Sequence, residues 1–252
     1  MKKLILLIGL VLLTACSSQS LTPESTPIPT ATPTRIVPTP VPVTDTPTPT
    51  LPPTDTPTPV PPERYFTNEF DTAPAYWSVL YASGEPNRVE ILNENSLLTF
   101  ELYSPHAWVY TIYGAFEYDS VHIETRVESR GSEINGMGLV CNYDEQAGWY
   151  EFNIASDGAY NLLHGQWLAE GIARYTPILN DTSDLIETGQ AVNEIGLDCY
   201  ENIVQMHING ELFRQMDLAH IGLTGGKVGL AMASFDEAPV ILSFDWVKVG
   251  KP

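Results

Sequence analysis

From Glu63 onward, apolar and polar residues alternate with a period of two, and Gly, Asn, Asp or Pro interrupts the alternation at short intervals. No long stretch keeps the spacing of an amphipathic helix. Because successive side chains of a strand point to opposite faces, this pattern predicts many half-buried antiparallel strands. We therefore expect residues 63–252 to form one all-β domain, a sandwich or a barrel.

The dipeptide Asn209-Gly210 marks the clearest hairpin, because a type I′ turn needs positive φ at both central residues. It places Ile208 opposite Glu211, and the same register continues with Met206 opposite Phe213. A second tight turn, at Glu201-Asn202, places Cys199 opposite Val204. The meander then has an apolar face of Ile195, Leu197, Cys199, Val204, Met206, Ile208 and Phe213. Its polar face carries Asp198, Gln205, His207 and Arg214.

Further strands are predicted where the alternation recurs, while residues 172–190 are expected to form a long irregular loop. These strands are Ser96 to Tyr103, Val109 to Tyr113, Tyr118 to Arg130, Gly136 to Asn142, Gly148 to Ala155, Gly158 to His164, Gly226 to Ser234 and Val240 to Val249. In the strand around Val121, the polar row is His122, Glu124, Arg126 and Glu128. We expect that row to face solvent or line a groove.

The N-terminus predicts export and lipid anchoring. A charged start and a short apolar run end in Leu13-Thr14-Ala15-Cys16, which resembles the lipobox of bacterial lipoproteins. Residues 1–15 are the expected signal peptide, and Cys16 is the expected lipidated residue. Residues 16–62 are rich in Pro and Thr and predict a disordered linker that cannot form a core. The protein is therefore expected outside the cytoplasm, held at the cell membrane or cell surface only through its lipid.

The two remaining cysteines and the net charge indicate further properties of the domain. Cys141 and Cys199 both fall on apolar strand faces, and an oxidising compartment favours a disulfide between them. The formal net charge is −19, so the chain lacks the basic surface that is typical of nucleic-acid-binding proteins. We expect no nucleic-acid partner.

Several segments together resemble the concanavalin A-like jelly-roll sandwiches, in particular the 3-keto-disaccharide hydrolase domains and laminin-G-like modules. These are Gly138 to Asp144, Trp149 to Ile154, Asp157 to Tyr160, Asn209-Gly210, Val228 to Leu230 and Phe244-Asp245. The resemblance covers Phe70 to Val249 and implies an antiparallel jelly-roll β-sandwich. It implies three function classes: a non-catalytic carbohydrate-binding module, a glycoside or 3-keto-disaccharide hydrolase, and a protein-binding adhesion module.

Laminarinase-type hydrolases with this fold carry acidic residues alternating along one strand, because retaining hydrolysis needs two carboxyl groups about 5 to 5.5 Å apart. Glu117 and Asp119 begin such a pattern, but Val121 follows on the same face. Glu124 and Glu128 share a face with Arg126 between them. We therefore expect a charge ladder, in which Arg126 forms ion pairs with both carboxylates. No catalytic residue is assigned, although Glu151, Asn153 and His164 could serve a keto-sugar hydrolase.

Aromatic side chains support the carbohydrate-binding hypothesis. A sugar ring can stack on Trp or Tyr while neighbouring polar side chains form hydrogen bonds with its hydroxyl groups. Trp77, Trp108 and Trp246 are expected in the core. The predicted glycan site is Trp149, Glu151, Asn153, Tyr160 and Trp167. We expect a binding module, leaving a sugar hydrolase as the alternative.

No cofactor is predicted. The histidines are scattered through the sequence and none is spaced as a metal pair. Asp71 and Asp245 occupy the places where relatives of this fold bind structural Ca²⁺. Two carboxylates are too few for a Ca²⁺ shell, so backbone carbonyls would have to complete it.

Overall fold

The computed structural model describes residues 61–252. The predicted signal peptide, Cys16 and nearly all of the Pro/Thr-rich linker lie outside the described residues. Among the described residues, no helix is long and apolar enough to span a membrane. The helical structure there is one short 3₁₀ turn, Pro86–Arg88.

Fifteen strands build two antiparallel sheets from these residues. Sheet A contains β1 (Phe66–Asn68), β3 (Val89–Glu94), β4 (Leu97–Leu102), β6 (Ser120–Gly131), β11 (Val192–Tyr200), β12 (Ile203–Ile208), β13 (Glu211–Asp217) and β15 (Val240–Gly250). Sheet B contains β2 (Trp77–Ser83), β5 (Trp108–Tyr118), β7 (Asn135–Asp144), β8 (Gly148–Ile154), β9 (Ala159–Ala169), β10 (Ile172–Thr182) and β14 (Gly226–Ser234). The prediction of an all-β domain is confirmed.

Strands that are distant in sequence lie side by side in both sheets. The order in sheet A is β13-β12-β11-β6-β15-β4-β3, with β1 also paired to β15. The order in sheet B is β10-β9-β8-β7-β14-β5-β2. The inner faces pack into one core, as β6 illustrates: Val121, Ile123 and Val127 are buried while the alternate residues point outward. The arrangement is a β-sandwich.

The predicted disulfide between Cys141 and Cys199 is confirmed, with the two Cα atoms 6.4 Å apart. Cys141 belongs to β7 and Cys199 to β11, so the bond joins sheet B to sheet A through the core. Its two ends are 58 residues apart in sequence. Closing a loop of that size stabilises a fold by roughly 4 kcal/mol in the chain-entropy model.

The meander has both predicted turns, but one part of its register is wrong. Asn209 and Gly210 have φ of 49° and 82°, and Ile208 lies opposite Glu211. A β-bulge between Met206 and His207 then shifts the pairing, so that Met206 lies opposite Arg214 instead of Phe213. An extra residue in one strand moves every later pair by one position.

The side chains of β13 follow this shift. Phe213 is half-buried, and its ring lies 4.9 Å from that of Tyr160. Arg214, predicted on the polar face, donates its Nε hydrogen to the Tyr160 hydroxyl at 3.2 Å. The bulge therefore turns part of the edge strand toward the core side.

The expectation of a long loop at residues 172–190 is wrong for its first part. Ile172–Thr182 forms β10 and pairs along β9, although Pro177 lies within it. β10 is an edge strand, where a proline costs no ladder hydrogen bond if its nitrogen faces away from the partner. The register shifts between Pro177 and Leu179, and this irregularity hides the strand from a period-two search.

Candidate functional site

Sheet B carries a second apolar cluster, on the face opposite the core. On β8, Tyr150 and Phe152 point into the core, whereas Trp149, Glu151 and Asn153 point to the other side. Strands β5, β7, β9 and β10 add aromatic side chains to that side. We call it the aromatic face; its rings are Trp108, Tyr110, Tyr143, Trp149, Trp167 and Tyr175.

The aromatic face is concave because sheet B curls until its two edges approach each other. Cα atoms of β10 and β2 come within 8 Å, although these strands are at opposite ends of the sheet. Tyr175 of β10 stacks on Trp108 of β5, with ring centroids 4.4 Å apart and an interplanar angle of 19°. The rings thus fill the hollow that the curled sheet would otherwise leave open.

Glu151 lies at the centre of this face and is fully buried. Its Oε1 accepts hydrogen bonds from Trp108 Nε1 at 2.9 Å and Asn153 Nδ2 at 2.8 Å. Its Oε2 accepts from the Tyr110 hydroxyl at 2.6 Å and from Trp149 Nε1 at 3.2 Å. All four donors are neutral, so the carboxyl group is satisfied by dipoles and not by a cation.

Burial raises the pKa of Glu151, and the four hydrogen bonds oppose that rise without cancelling it. Burial also raises the pKa of Tyr110 well above its usual value, with the neighbouring Glu151 adding to the effect. The pKa of Tyr175, whose hydroxyl lies 2.8 Å from that of Tyr110, is raised mainly by burial as well. The network therefore favours neutral groups.

Two glycines on the neighbouring strands make room for the buried side chains. Gly165 lies opposite Trp149, and a Cβ atom there would come within 2.2 Å of the indole ring. Gly138 lies opposite Asn153, where a Cβ atom would meet the amide oxygen at 2.1 Å. Substitution of either glycine would displace the groups that surround Glu151.

The structure brings four of the five predicted glycan-site residues together. Trp149, Glu151 and Asn153 are adjacent on β8 and buried, and half-buried Trp167 lies 5.1 Å from Trp149 between ring centroids. Tyr160 lies on the opposite face of sheet B, in the core, because the β8–β9 pairing sets it opposite Ile154. Of the predicted set, Trp167 is the aromatic residue with a partly exposed ring.

Three further residues belong to the site without having been predicted there: Trp108, Tyr110 and Tyr175. Trp108 was expected in the core, but it is half-buried and donates to Glu151 on the aromatic face. The alternation of Trp108 and Tyr110 along β5 was the signal available in the sequence. Tyr175 gave no such signal, because β10 itself was not predicted.

A groove of about 540 Å³ opens at the margin of the aromatic face. Its lining includes Leu80, Tyr81, Tyr143, Glu145, Trp167 and Glu170. The Trp167 Nε1 hydrogen is donated to the Tyr143 hydroxyl at 2.9 Å, which fixes the indole plane at the groove. A partly exposed indole beside carboxylate groups offers a sugar both a stacking surface and hydrogen-bond acceptors.

The other acidic candidates lie elsewhere. Glu124 and Glu128 are on the outward side of β6 in sheet A. Glu124 contacts His122 at 3.6 Å and Lys248 at 3.7 Å. The expected ladder through Arg126 is wrong, because its guanidinium group pairs with Asp245 at 3.1 Å.

The calcium expectation stays a prediction. Asp71 accepts a hydrogen bond from the Ser96 hydroxyl at 2.6 Å, and Asp245 is held by Arg126. Each carboxylate therefore already has a partner in the protein. His164, a candidate for a keto-sugar hydrolase, is half-buried on β9, and burial lowers its pKa.

Neither a protein-family model nor a curated protein sequence matches the chain. Solved structures of glucanases do match it in fold. The β-glucanase of Bacillus licheniformis gives a TM-score of 0.54 at 13% identity, covering 75% of this chain and 98% of its own. The laminarinase catalytic domain of Thermotoga maritima gives 0.53 at 14% identity, covering 75% and 99%.

A glycoside hydrolase family 16 endo-glucanase of Bacteroides ovatus gives a TM-score of 0.51 at 12% identity, covering 73% of this chain and 99% of its own. At such low identity the likeness concerns the path of the strands, and chemistry does not follow from a shared fold. It agrees with the resemblance carried by the turn and strand motifs. The domain has the concanavalin A-like jelly-roll fold.

Proposed function

We propose that the domain is a non-catalytic carbohydrate-binding module whose ligand lies in the groove at Trp167. One observation carries the proposal: the outward row of β8 holds a single carboxyl group, Glu151, between Trp149 and Asn153. Retaining and inverting hydrolysis both need two carboxyl groups that flank the scissile bond. The oxygens of Glu151 are already hydrogen bonded by four side chains, and no surface of the group faces solvent.

The fold neighbours and the groove support a β-glucan as the proposed ligand class. The similar structures include a β-glucanase, a laminarinase and a protein from a mixed linkage glucan system. The indole of Trp167 presents an apolar plane, while Glu145 and Glu170 supply acceptors at the rim. We therefore take a linear β-glucan as the first ligand to test.

The test is binding of the full chain to laminarin and to mixed linkage glucan, measured by calorimetry and affinity electrophoresis. Trp167→Ala should weaken binding about tenfold, because loss of a stacked indole removes on the order of 1.4 kcal/mol of contact energy. Trp246→Ala is the matched control, because that indole is also half-buried but lies on sheet A. Equal binding by both variants would contradict the site at Trp167.

A glycoside hydrolase is the second candidate, and the comparisons favour it, because the structures described above are all glucanases. In that case Glu151 would be the acid or base, and the closed aromatic face would have to open to admit substrate. Release of reducing ends from either glucan, abolished by Glu151→Gln with binding retained, would replace the binding-module proposal with this one.

The membrane attachment is also a proposal, and it rests on the sequence. We propose that Cys16 is lipidated and holds the domain outside the cytoplasm. The full chain should partition with membranes, and Cys16→Ser should release it into the soluble fraction. Membrane-bound, signal-cleaved Cys16→Ser protein would contradict the anchor.

A further inference from the structure

Three side chains that can bind a metal ion converge on the outward face of sheet A, from strands β6, β11 and β12. The antiparallel register sets His122 of β6 opposite Asp198 of β11. It also sets His207 of β12 opposite Gly196 of β11. Because alternate residues of a strand share a face, the side chains of His122, Asp198 and His207 point to the same side. We call these three residues the His–Asp–His cluster.

Their nitrogen and oxygen atoms converge on the carboxylate. His122 Nδ1 lies 2.7 Å from Asp198 Oδ1, and His207 Nε2 lies 2.6 Å from Asp198 Oδ2. One ligand atom from each of the three side chains can be chosen so that all lie within 4.8 Å of one another. The two imidazole rings are 5.9 Å apart and nearly perpendicular, at 82°. Three ligands of suitable type thus share one small volume.

Gly196 provides the space in which the rings approach each other. A Cβ atom at this position would lie 3.2 Å from His207 Cβ and 3.5 Å from His122 Cε1. A larger residue at the centre of the three strands would therefore push the two imidazoles apart. The glycine leaves a shallow hollow in the sheet surface that the cluster surrounds.

A second carboxylate, that of Glu124, faces the other ring nitrogen of His122. Glu124 Oε2 lies 3.6 Å from His122 Nε2, the ring nitrogen that does not face Asp198. In metal sites, a ligating imidazole commonly donates its other N–H to a carboxylate, which fixes its tautomer and orientation. His122 therefore has one nitrogen directed to the shared volume and one directed to an acceptor.

The cluster is also accessible to a solvated ion. The side chains of His122 and His207 are 18% and 23% exposed, whereas that of Asp198 is 6% exposed. The carboxylate is thus shielded beneath two imidazoles that water still reaches. An ion could enter from solvent without disturbing the core of the sandwich.

We propose that the His–Asp–His cluster is a Zn²⁺ site, with His122 Nδ1, His207 Nε2 and an Asp198 oxygen as ligands and water in the fourth position. Two imidazoles and a carboxylate suit zinc, whereas Ca²⁺ and Mg²⁺ take oxygen ligands. Ligand atoms of a tetrahedral zinc site are about 3.3 Å apart, so the present N···O contacts need to open by roughly 0.7 Å. The imidazole protons are released to solvent on binding.

The experiment titrates the chelator-treated full chain with ZnCl₂ by calorimetry and with Co²⁺ by visible absorption, which reports tetrahedral coordination. We expect one ion per chain. His122→Gln and His207→Gln should each weaken zinc binding at least tenfold, and Glu124→Gln should weaken it about 10- to 100-fold. His220→Gln, a change of an exposed histidine outside the cluster, should leave affinity unchanged.

Circular dichroism of each variant separates loss of ligand from loss of fold. The wild-type chain supplies an independent readout: Zn²⁺ should shift the imidazole resonances of His122 and His207 in NMR spectra and leave those of His220 in place. Absence of zinc binding, or equal affinity of His207→Gln and His220→Gln, would overturn the site. The cluster would then be a hydrogen-bonded triad without metal.

Discussion

Glu151 and Asp198 are both buried carboxyl groups on the outward face of a sheet, yet their partners differ in kind. Glu151 is surrounded by neutral indole, phenol and amide donors on a concave face that sheet B closes over itself. Asp198 lies between two imidazoles on the open face of sheet A. The first carboxyl group is locked by groups that cannot change their charge at ordinary pH. The second is held by imidazole groups, whose nitrogen atoms can also bind a metal.

The largest expected difference is in stability on truncation. Glu151→Ala leaves four buried donors without an acceptor, and we expect it to cost about 3 to 5 kcal/mol of unfolding free energy. Asp198→Ala should cost about 1 to 2 kcal/mol, because water can reach both imidazoles. Urea unfolding of the two variants measures the difference. Equal costs would contradict the distinction between a closed and an open site.

Removal of one hydrogen-bond partner from each carboxyl group should show the same difference in unfolding free energy, with smaller values. Tyr110→Phe removes the shortest hydrogen bond to Glu151 and should cost about 1 to 3 kcal/mol, because it takes a donor from a buried acceptor. The matched change on sheet A, His207→Gln in the presence of chelator, should cost less than about 1 kcal/mol. A larger cost for His207→Gln than for Tyr110→Phe would reverse the interpretation.

Loss of a hydroxyl that does not contact Glu151 directly should reduce the unfolding free energy less. Tyr175→Phe removes the hydroxyl that contacts Tyr110 but keeps the ring stacked on Trp108. We expect a loss of about 0.5 to 1.5 kcal/mol, the net contribution of one neutral hydrogen bond. Thermal unfolding next to Tyr175→Ala, which also removes the stacked ring, separates the two contributions. Indistinguishable variants would mean that the stacking adds nothing.

The smallest effect is a difference in pH dependence. Burial raises the folded-state pKa of Glu151, so its contribution to stability is present below the ordinary value near 4.5 and lost as pH rises through the folded pKa. For Asp198, burial acts to raise the pKa, but the hydrogen bonds from His122 and His207 outweigh it and lower the pKa. Its contribution is present above the ordinary value near 3.8 and lost as pH falls through the folded pKa.

Unfolding of the wild type, Glu151→Gln and Asp198→Asn with chelator, from about pH 3 to pH 8, checks these opposite signs. The stability gap between wild type and Glu151→Gln should narrow with rising pH. The gap between wild type and Asp198→Asn should narrow with falling pH. Parallel slopes for the two gaps would show that both carboxyl groups experience the same kind of environment.

The sequence predicted what depends on neighbours along one strand or across one tight turn. The alternation of Trp149, Glu151 and Asn153 put them on one face, and the disulfide followed from the inward side of two strands. The pairing of strands that are distant in sequence was not predictable in this way. β6 and β11 are separated by four strands in sequence, so no local spacing placed His122 beside Asp198 and His207.

Irregular backbone limited the prediction in the other places. One bulge moved Arg214 to the position expected for Phe213, and Pro177 concealed an edge strand. Tyr160 follows a short hairpin whose length decides which face it joins. The hairpin pairs it with Ile154, so it enters the core and not the aromatic face. A single-residue change in pairing or in hairpin length is enough to decide which face of a sheet a side chain joins.

The curl of sheet B also has a consequence for association between molecules. An exposed edge strand presents unpaired N–H and C=O groups to which another chain can add by β-augmentation. In sheet B, the edges β10 and β2 approach each other, and Pro177 removes a donor from β10. Among the described strands, the edges of sheet A, β3 and β13, make no comparable approach, and β3 exposes Ile91 and Leu92. The approach of β10 to β2 therefore leaves the edges of sheet A more open to pairing with another chain than those of sheet B.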